Sequence, residues 1–316
     1  MGKHKVIFDT DPGVDDALAL CYLVRHPQVQ LVGVTTVFGN APVAVTTRNA
    51  RFLLRSWGVT VPVHAGAAQS LTPDMPTADF PVHIHGQNGL GNIDIAEQPV
   101  DEPDSAAQFI IDQVRADPGN IRILAVGRMT NLARALQMAP DIADLVGDVV
   151  IMGGAFRVPG DITPAAEANI WGDPLAADMV FGADWHVTAI PLDLTTRTLI
   201  TRRELQAIAA RGGEGMQLVA DLSQDYIGFY GQAGYDGMVI HDCCAAVFLT
   251  DPDLFRLIHG QVRVLWQGIG LGLTIMNPRD RKGPDAEWAG LPLQAYGADG
   301  DTDAILSRIA QICGGN

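Results

Sequence analysis

A chain of 316 residues, 47% of them hydrophobic, is long enough to bury the core of one large α/β domain without disulfide or metal staples. A formal net charge of -15, with only 21 scattered Lys and Arg, argues against nucleic acid as a partner, because phosphate binding rests on clustered basic residues. The four cysteines (Cys21, Cys243, Cys244, Cys313) have neither metal-ligand spacing nor a disulfide framework, and no apolar stretch is long enough for a bilayer, so a cytoplasmic protein free of membranes is expected.

In chain order, a short apolar run at residues 6–8 predicts the first buried strand, and a helical pattern follows over 14–25. The alternation continues: strand 31–36, helix 43–57, strand 61–64, helix 105–115, strand 121–126, helix 131–138, strand 149–152, helix 174–181 and strand 187–191. Strand and helix alternating in this way imply an α/β fold, a single domain over 1–316 whose mostly parallel, open, Rossmann-like sheet is flanked by helices. Beyond Arg202 the pattern becomes helix-rich (204–210, 215–230, 241–249), then gives a strand pair near 262–266 and 270–276 and a last helix near 302–312. The Pro/Asp-rich stretch 71–79 and the Gly-rich run 211–215 read as loops. In an open parallel sheet ligands gather at the carboxyl ends of the strands, so the residues just past each strand are the ones to examine.

The first strand ends in Asp9-Thr10-Asp11-Pro12-Gly13-Val14-Asp15-Asp16, four carboxylates within eight residues at a strand-to-helix turn. One such Asp would be an ordinary helix start. Four repel one another unless a hard divalent cation with oxygen ligands holds them ionised. The spacing is not that of an EF-hand; an apolar strand followed by Asp-x-Asp also begins the aspartyl-phosphate phosphatases, a competing reading. A calcium shell of six to eight oxygens needs further strand ends, and Phe38-Gly39-Asn40, Gly127 to Asn131, Met152-Gly153-Gly154 and His241-Asp242 supply candidates.

Taken together with Ala166-Glu167-Ala168-Asn169 and Leu192-Asp193-Leu194-Thr195, these motifs resemble the inosine-uridine-preferring nucleoside hydrolases over nearly the whole chain. The resemblance implies calcium-dependent hydrolysis of the N-glycosidic bond of purine or pyrimidine ribonucleosides by a homodimer or homotetramer. It implies one Ca2+ per subunit held by Asp11, Asp16, Asp242 and the main-chain carbonyl of Thr130, with Asp11 as general base. Asp15 and Asn169 would bind the ribose 2′- and 3′-hydroxyls, Glu167 the 5′ side, and Asn40 and Met152 the sugar floor. His241 would assist the departing base, His85 in the segment 83–91 would belong to a mobile loop over it, and Tyr226 and Tyr230 could close over it. A calcium-dependent sugar- or nucleoside-binding protein without turnover is the third reading; Asp11 and His241 separate it from a hydrolase.

Several positions depart from the family pattern. Asp161 stands where an Asn that binds the sugar is usual, and a second carboxylate near Glu167 disfavours a 5′-phosphate, so nucleosides are expected over nucleotides. Ala168 replaces a common aromatic and Asn88 a usual Asp, which bears on base preference. Cys243 and Cys244 read as small packed thiols and not as nucleophiles.

Overall fold

The computed structural model describes residues 3–75, 80–281 and 288–315; residues 76–79 of the predicted 71–79 loop lie outside them. The elements run β1 (His4–Thr10), α1 (Val14–Arg25), β2 (Val29–Thr36), α2 (Val43–Ser56), β3 (Val63–Ala65), α3 (Val82–His85), α4 (Ala106–Ala116), β4 (Ile121–Ala125), α5 (Thr130–Met138) and β5 (Asp148–Met152). They continue α6 (Ala168–Gly172), α7 (Pro174–Gly182), β6 (Val187–Ile190), α8 (Leu192–Thr195), β7 (Leu199–Ile200), α9 (Arg202–Leu222) and α10 (Gln224–Gln232). The chain ends with β8 (Met238–Val239), α11 (His241–Thr250), β9 (Phe255–Val264), β10 (Thr274–Pro278), β11 (Gln294–Gly300) and α12 (Thr302–Cys313).

One nine-stranded sheet carries the fold, in the order β10-β9-β11-β6-β5-β4-β1-β2-β3. It is parallel from β3 through β11, and only the β9 pairings are antiparallel. Because both faces are covered, the strands read as apolar runs whose alternate residues serve two cores: Val6 and Phe8 face one, Ile7 the other; Leu124 and Val126 face the first, Ile123 and Ala125 the second. Helices α1, α9, α11 and α12 pack together over the first face, and α4, α5 and α7 over the second. From β3 to β6 the order 3-2-1-4-5-6 reverses its direction of growth between β1 and β4, which leaves a crevice at the carboxyl ends of those two strands.

The expected α/β architecture is observed, with three differences. Residues 211–215 are not a loop: they lie inside α9, which is interrupted only at Gly213, where φ is +69° and the helix kinks. The helix expected over 215–230 accordingly divides at Ser223, whose hydroxyl donates to the Val219 carbonyl (2.6 Å) while α10 starts at the next residue. Strand β11 was not expected, since its sequence Gln-Ala-Tyr-Gly-Ala-Asp-Gly has two glycines and little β-branched character. Its place comes from pairing with both β6 and β9. The four cysteines are free and buried, and burial pushes the Cys244 thiol up to about 12, so Cys243 and Cys244 are packing residues. No helix among the described residues is long and apolar enough to cross a membrane.

Candidate active site

A cavity of about 270 Å3 opens at the crevice. Its floor is the turn from β1 into α1, and the first turn of α11 meets it from the side. Asp15 and Asp16 lie in the first turn of α1 and Asp242 in that of α11, where helix dipoles favour negative charge. Among the described residues these three form the carboxylate group able to hold a metal, with one oxygen from each lying within 4.8 Å of the others. Burial and mutual repulsion push Asp242 well above the usual carboxylate range and Asp15 up to about 8, and burial raises Asp16. A hard divalent cation would remove that penalty, and an all-oxygen donor set suits calcium or magnesium over zinc.

Each carboxylate is held by neighbours. Asp16 accepts from the Thr10 hydroxyl (2.5 Å), the Gly13 N–H (2.9 Å) and the Asn40 side-chain amide (3.0 Å). Three of its roughly four lone-pair sites are thereby filled, leaving about one for an ion. Asp11 lies against this group, buried, its Oδ2 accepting from the Asn40 N–H at 2.7 Å. Burial first, then the Asp16 charge, raise its carboxyl well above normal. Thr130 begins α5 and donates through its hydroxyl to Asp173 (2.7 Å), which also accepts from Leu71 N–H and from the Thr72 N–H and hydroxyl. Asp9, by contrast, is outside the site: fully buried, it accepts from Thr35 (2.6 Å) and Asn131 (2.7 Å) and ties β1 to its neighbours. A phosphatase would need that Asp as an accessible nucleophile, so the phosphatase reading fails on its burial.

The far wall comes from the ends of β4 and β5 and the start of α6. Asn169 donates both amide hydrogens to strand-end carbonyls, Val126 at 2.7 Å and Met152 at 3.1 Å, which turns its Oδ1 into an acceptor for the cavity. Glu167 caps α6 by accepting from Asn169 N–H (2.8 Å) and Ile170 N–H (3.0 Å), and takes a third N–H from Gly154 (2.9 Å). Burial, then the Asp161 charge, push it up to about 7. Asp161 also lines the cavity and is raised by burial.

The remaining wall is aromatic. Tyr226 packs against His85 and Tyr230, with ring centroids at 5.2 and 5.0 Å, and Phe229 lies edge-on to Tyr230 and His83. His85, expected on a mobile loop, is buried: its Nδ1 accepts from the Val14 N–H at 3.2 Å, so the proton of the neutral ring resides on Nε2. Burial lowers its pKa to about 3. Asn88 ties the loop to itself, accepting from Leu90 and Asn92 N–H and donating to the Ile93 carbonyl. His241 sits between two hydroxyls, Thr195 at 2.8 Å from Nδ1 and Tyr230 at 3.1 Å from Nε2, and burial lowers its pKa to about 4. It is therefore a neutral imidazole at pH 7, able to pass a proton between its two partners.

Of the residues singled out from sequence, Asp15, Asn40, His85, Met152, Asp161, Glu167, Asn169, Tyr226, Tyr230, His241 and Asp242 line this one cavity. Asp16 belongs with Asp15 and Asp242 to the carboxylate group, and Asp11 lies close enough to both Asp16 and Asp242 for their charges to interact. Sequence reading missed the supporting residues Thr10, Thr195, Asp173 and Arg128. Thr10, Arg128 and Thr195 each fall inside a quoted motif, whereas Asp173 carried no signal.

A family model described as inosine-uridine preferring nucleoside hydrolase matches residues 6–299. The chain belongs to that family. It is thus a nucleoside hydrolase, an N-glycosidase, and the binding-protein reading gives way. Uridine nucleosidase 1 of Arabidopsis thaliana is 39% identical over 282 residues, 88% of this chain and 83% of that protein. The inosine-uridine preferring nucleoside hydrolase of Crithidia fasciculata is 35% identical over 284 residues, 87% and 89% of the two chains. Among solved structures, a plant nucleoside hydrolase matches with TM-score 0.93 at 32% identity over 99% of both chains. A purine-preferring ribonucleoside hydrolase from Gardnerella vaginalis matches with TM-score 0.89 at 31% identity over 98% of both.

Proposed function

We propose that this nucleoside hydrolase is calcium-dependent and cleaves ribonucleosides, uridine among them, to free base and ribose. The observation that carries the reading is the buried carboxylate group of Asp15, Asp16 and Asp242 at the floor of a cavity whose opposite wall is aromatic. We assign the ion to Asp11, Asp16, Asp242 and the Thr130 carbonyl, and the ribose diol to Asp15 and Asn169, since Asp15 and Asn169 line the cavity. When bound, calcium supplies positive charge that keeps these carboxylates ionised and eases deprotonation of water.

The remaining chemistry falls to the chain's own groups. Asp11 takes a proton from water as the water oxygen bonds to C1′ and the C1′–N bond breaks, with its electrons moving to the base. The carboxylate-rich floor stabilises positive charge developing on the sugar. Neutral His241 and the Tyr230 hydroxyl form a path along which a proton can reach the departing base nitrogen, and His85 Nε2–H offers a further donor at the same wall. Glu167 keeps about one free acceptor site, enough for a 5′-hydroxyl, and Asp161 beside it opposes a 5′-phosphate. We place the enzyme in the cytoplasm as a homodimer or homotetramer. The test is ribose release from inosine, adenosine, guanosine, uridine and cytidine with calcium and then with excess chelator. Release that chelation abolishes and calcium restores supports the reading; release that survives complete chelation, or none from all five, rejects it.

A further inference from the structure

Arg128 is the unusual cation of this molecule. It is 8% exposed and follows β4 at the reversal point of the sheet. Among the described residues it has no hydrogen-bond partner, whereas the other buried arginine, Arg48, donates to Asn49 and the Asn88 carbonyl. Its guanidinium carbon instead lies 4.2 Å from the centre of the Phe38 ring, a stacked cation–π contact. Its side chain also runs against Gly172, where a β-carbon would come within 2.2 Å of Nε.

The neighbours of these stacked residues give the contact its meaning. Gly39 follows Phe38 and Gly127 precedes Arg128, and the Asp11 carboxylate lies in the slot between the two glycines. An added β-carbon at Gly39 would sit 1.8 Å from Asp11 Oδ2, and one at Gly127 would sit 2.6 Å from Oδ1. Backbone approach this close fixes the carboxylate plane, provided the loops after β2 and β4 stay together. The Phe38–Arg128 stack joins those loops one residue outside the slot, and the Asp11 and Asp173 charges keep the guanidinium there.

We propose that Arg128 is a positioning residue for Asp11, clasping Phe38 so that the loops after β2 and β4 close on the general base. The inference rests on the assignment of Asp11 made above. Two variants that keep the net charge test it: Arg128→Lys, which removes the planar stacking face, and Phe38→Leu, which removes the ring. Each is measured with uridine under saturating calcium, and by melting temperature with chelator and with calcium. Misalignment of a base predicts that kcat falls by roughly ten- to a hundredfold while KM moves less than about threefold. The calcium-induced rise in melting temperature shrinks in both, and the double variant is no worse than the poorer single one, as for residues acting as a unit. Wild-type kcat in both, additive losses in the double, or a lower melting temperature with kcat and the calcium response intact would each overturn the clasp. Should Arg128→Lys not fold, Phe38→Leu decides alone. Absence of calcium-dependent turnover in the wild-type protein is a separate result, directed at the proposed function and not at the clasp.

Discussion

The floor of the cavity is made from strand ends and helix starts of the main sheet, and its aromatic wall from α3 and α10, helices that meet through side-chain contacts. On the floor and the far wall, Asp11, Asp16 and Glu167 are held by backbone N–H groups at 2.7–3.0 Å, so their positions follow from the backbone itself. On the wall, Tyr226, Phe229 and Tyr230 are held by rings against rings, at centroid distances of 5.0–5.7 Å. Charged groups fixed by backbone suit a reaction that must be the same for every nucleoside. Apolar groups fixed by packing suit contacts that differ with the base.

The sharpest way to break this division is Asp11→Asn. It should lower kcat by roughly a thousandfold with KM little changed, measured by steady-state ribose release; a loss under about tenfold would move the base elsewhere. His241→Ala comes next. A loss of roughly a hundredfold is expected on uridine and of less than about tenfold on an activated aryl riboside, whose leaving group needs no proton. Equal losses on both would place His241 with the floor. A wall substitution, Phe229→Leu, should shift the purine-to-pyrimidine ratio of kcat/KM by about three- to tenfold and leave the aryl riboside unaffected. If kcat falls uniformly instead, wall and floor are not separable.

The smallest effect is on stability. Without calcium the folded protein holds protons on Asp15, pushed up to about 8, and on Glu167, pushed up to about 7, that the unfolded chain has already lost. Their folded values lie above the unfolded ones, so this contribution is fully present below the unfolded carboxylate range and is lost as pH rises through about 7 to 8. The melting temperature of chelated protein should therefore decline by a few degrees from pH 5 to pH 8 through these two groups, and saturating calcium should reduce the decline, because the ion binds ionised ligands. A chelated protein with a flat profile would show that the carboxylates are already compensated.

Much of the floor was legible in the chain. An apolar run that ends in Asp9 to Asp16 announces both a strand end and a charge problem, and that problem has few solutions. His241-Asp242 was legible as a second contributor because an acid and an imidazole open a helix together. Less was visible of the wall, where Tyr226, Phe229 and Tyr230 have the spacing of ordinary packing, and only the approach of α3 makes them one side of the cavity. The supports were hidden for a different reason. Thr195, Asp173 and Arg128 act on groups distant in sequence, such as Arg128 on Phe38 and Asp173 on Thr72, while Thr10 is a residue of the strand whose role shows only once its hydroxyl is seen to donate to Asp16.

By itself the amino-acid sequence determined the layer architecture, because hydrophobic period and turn residues are local and leave a parallel sheet covered on both faces as the way to bury such strands. It also determined that several carboxylates would be concentrated at one strand end. Tertiary structure alone decided which of them meet: Asp9 turns away to bind Thr35 and Asn131, while Asp242, more than two hundred residues downstream, completes the group. The reason is that β1 ends at Thr10, so Asp9 is fixed inside the strand while Asp11, Asp15 and Asp16 lie beyond it, combined with a sheet order that brings β1 beside β4 and lays α11 against α1.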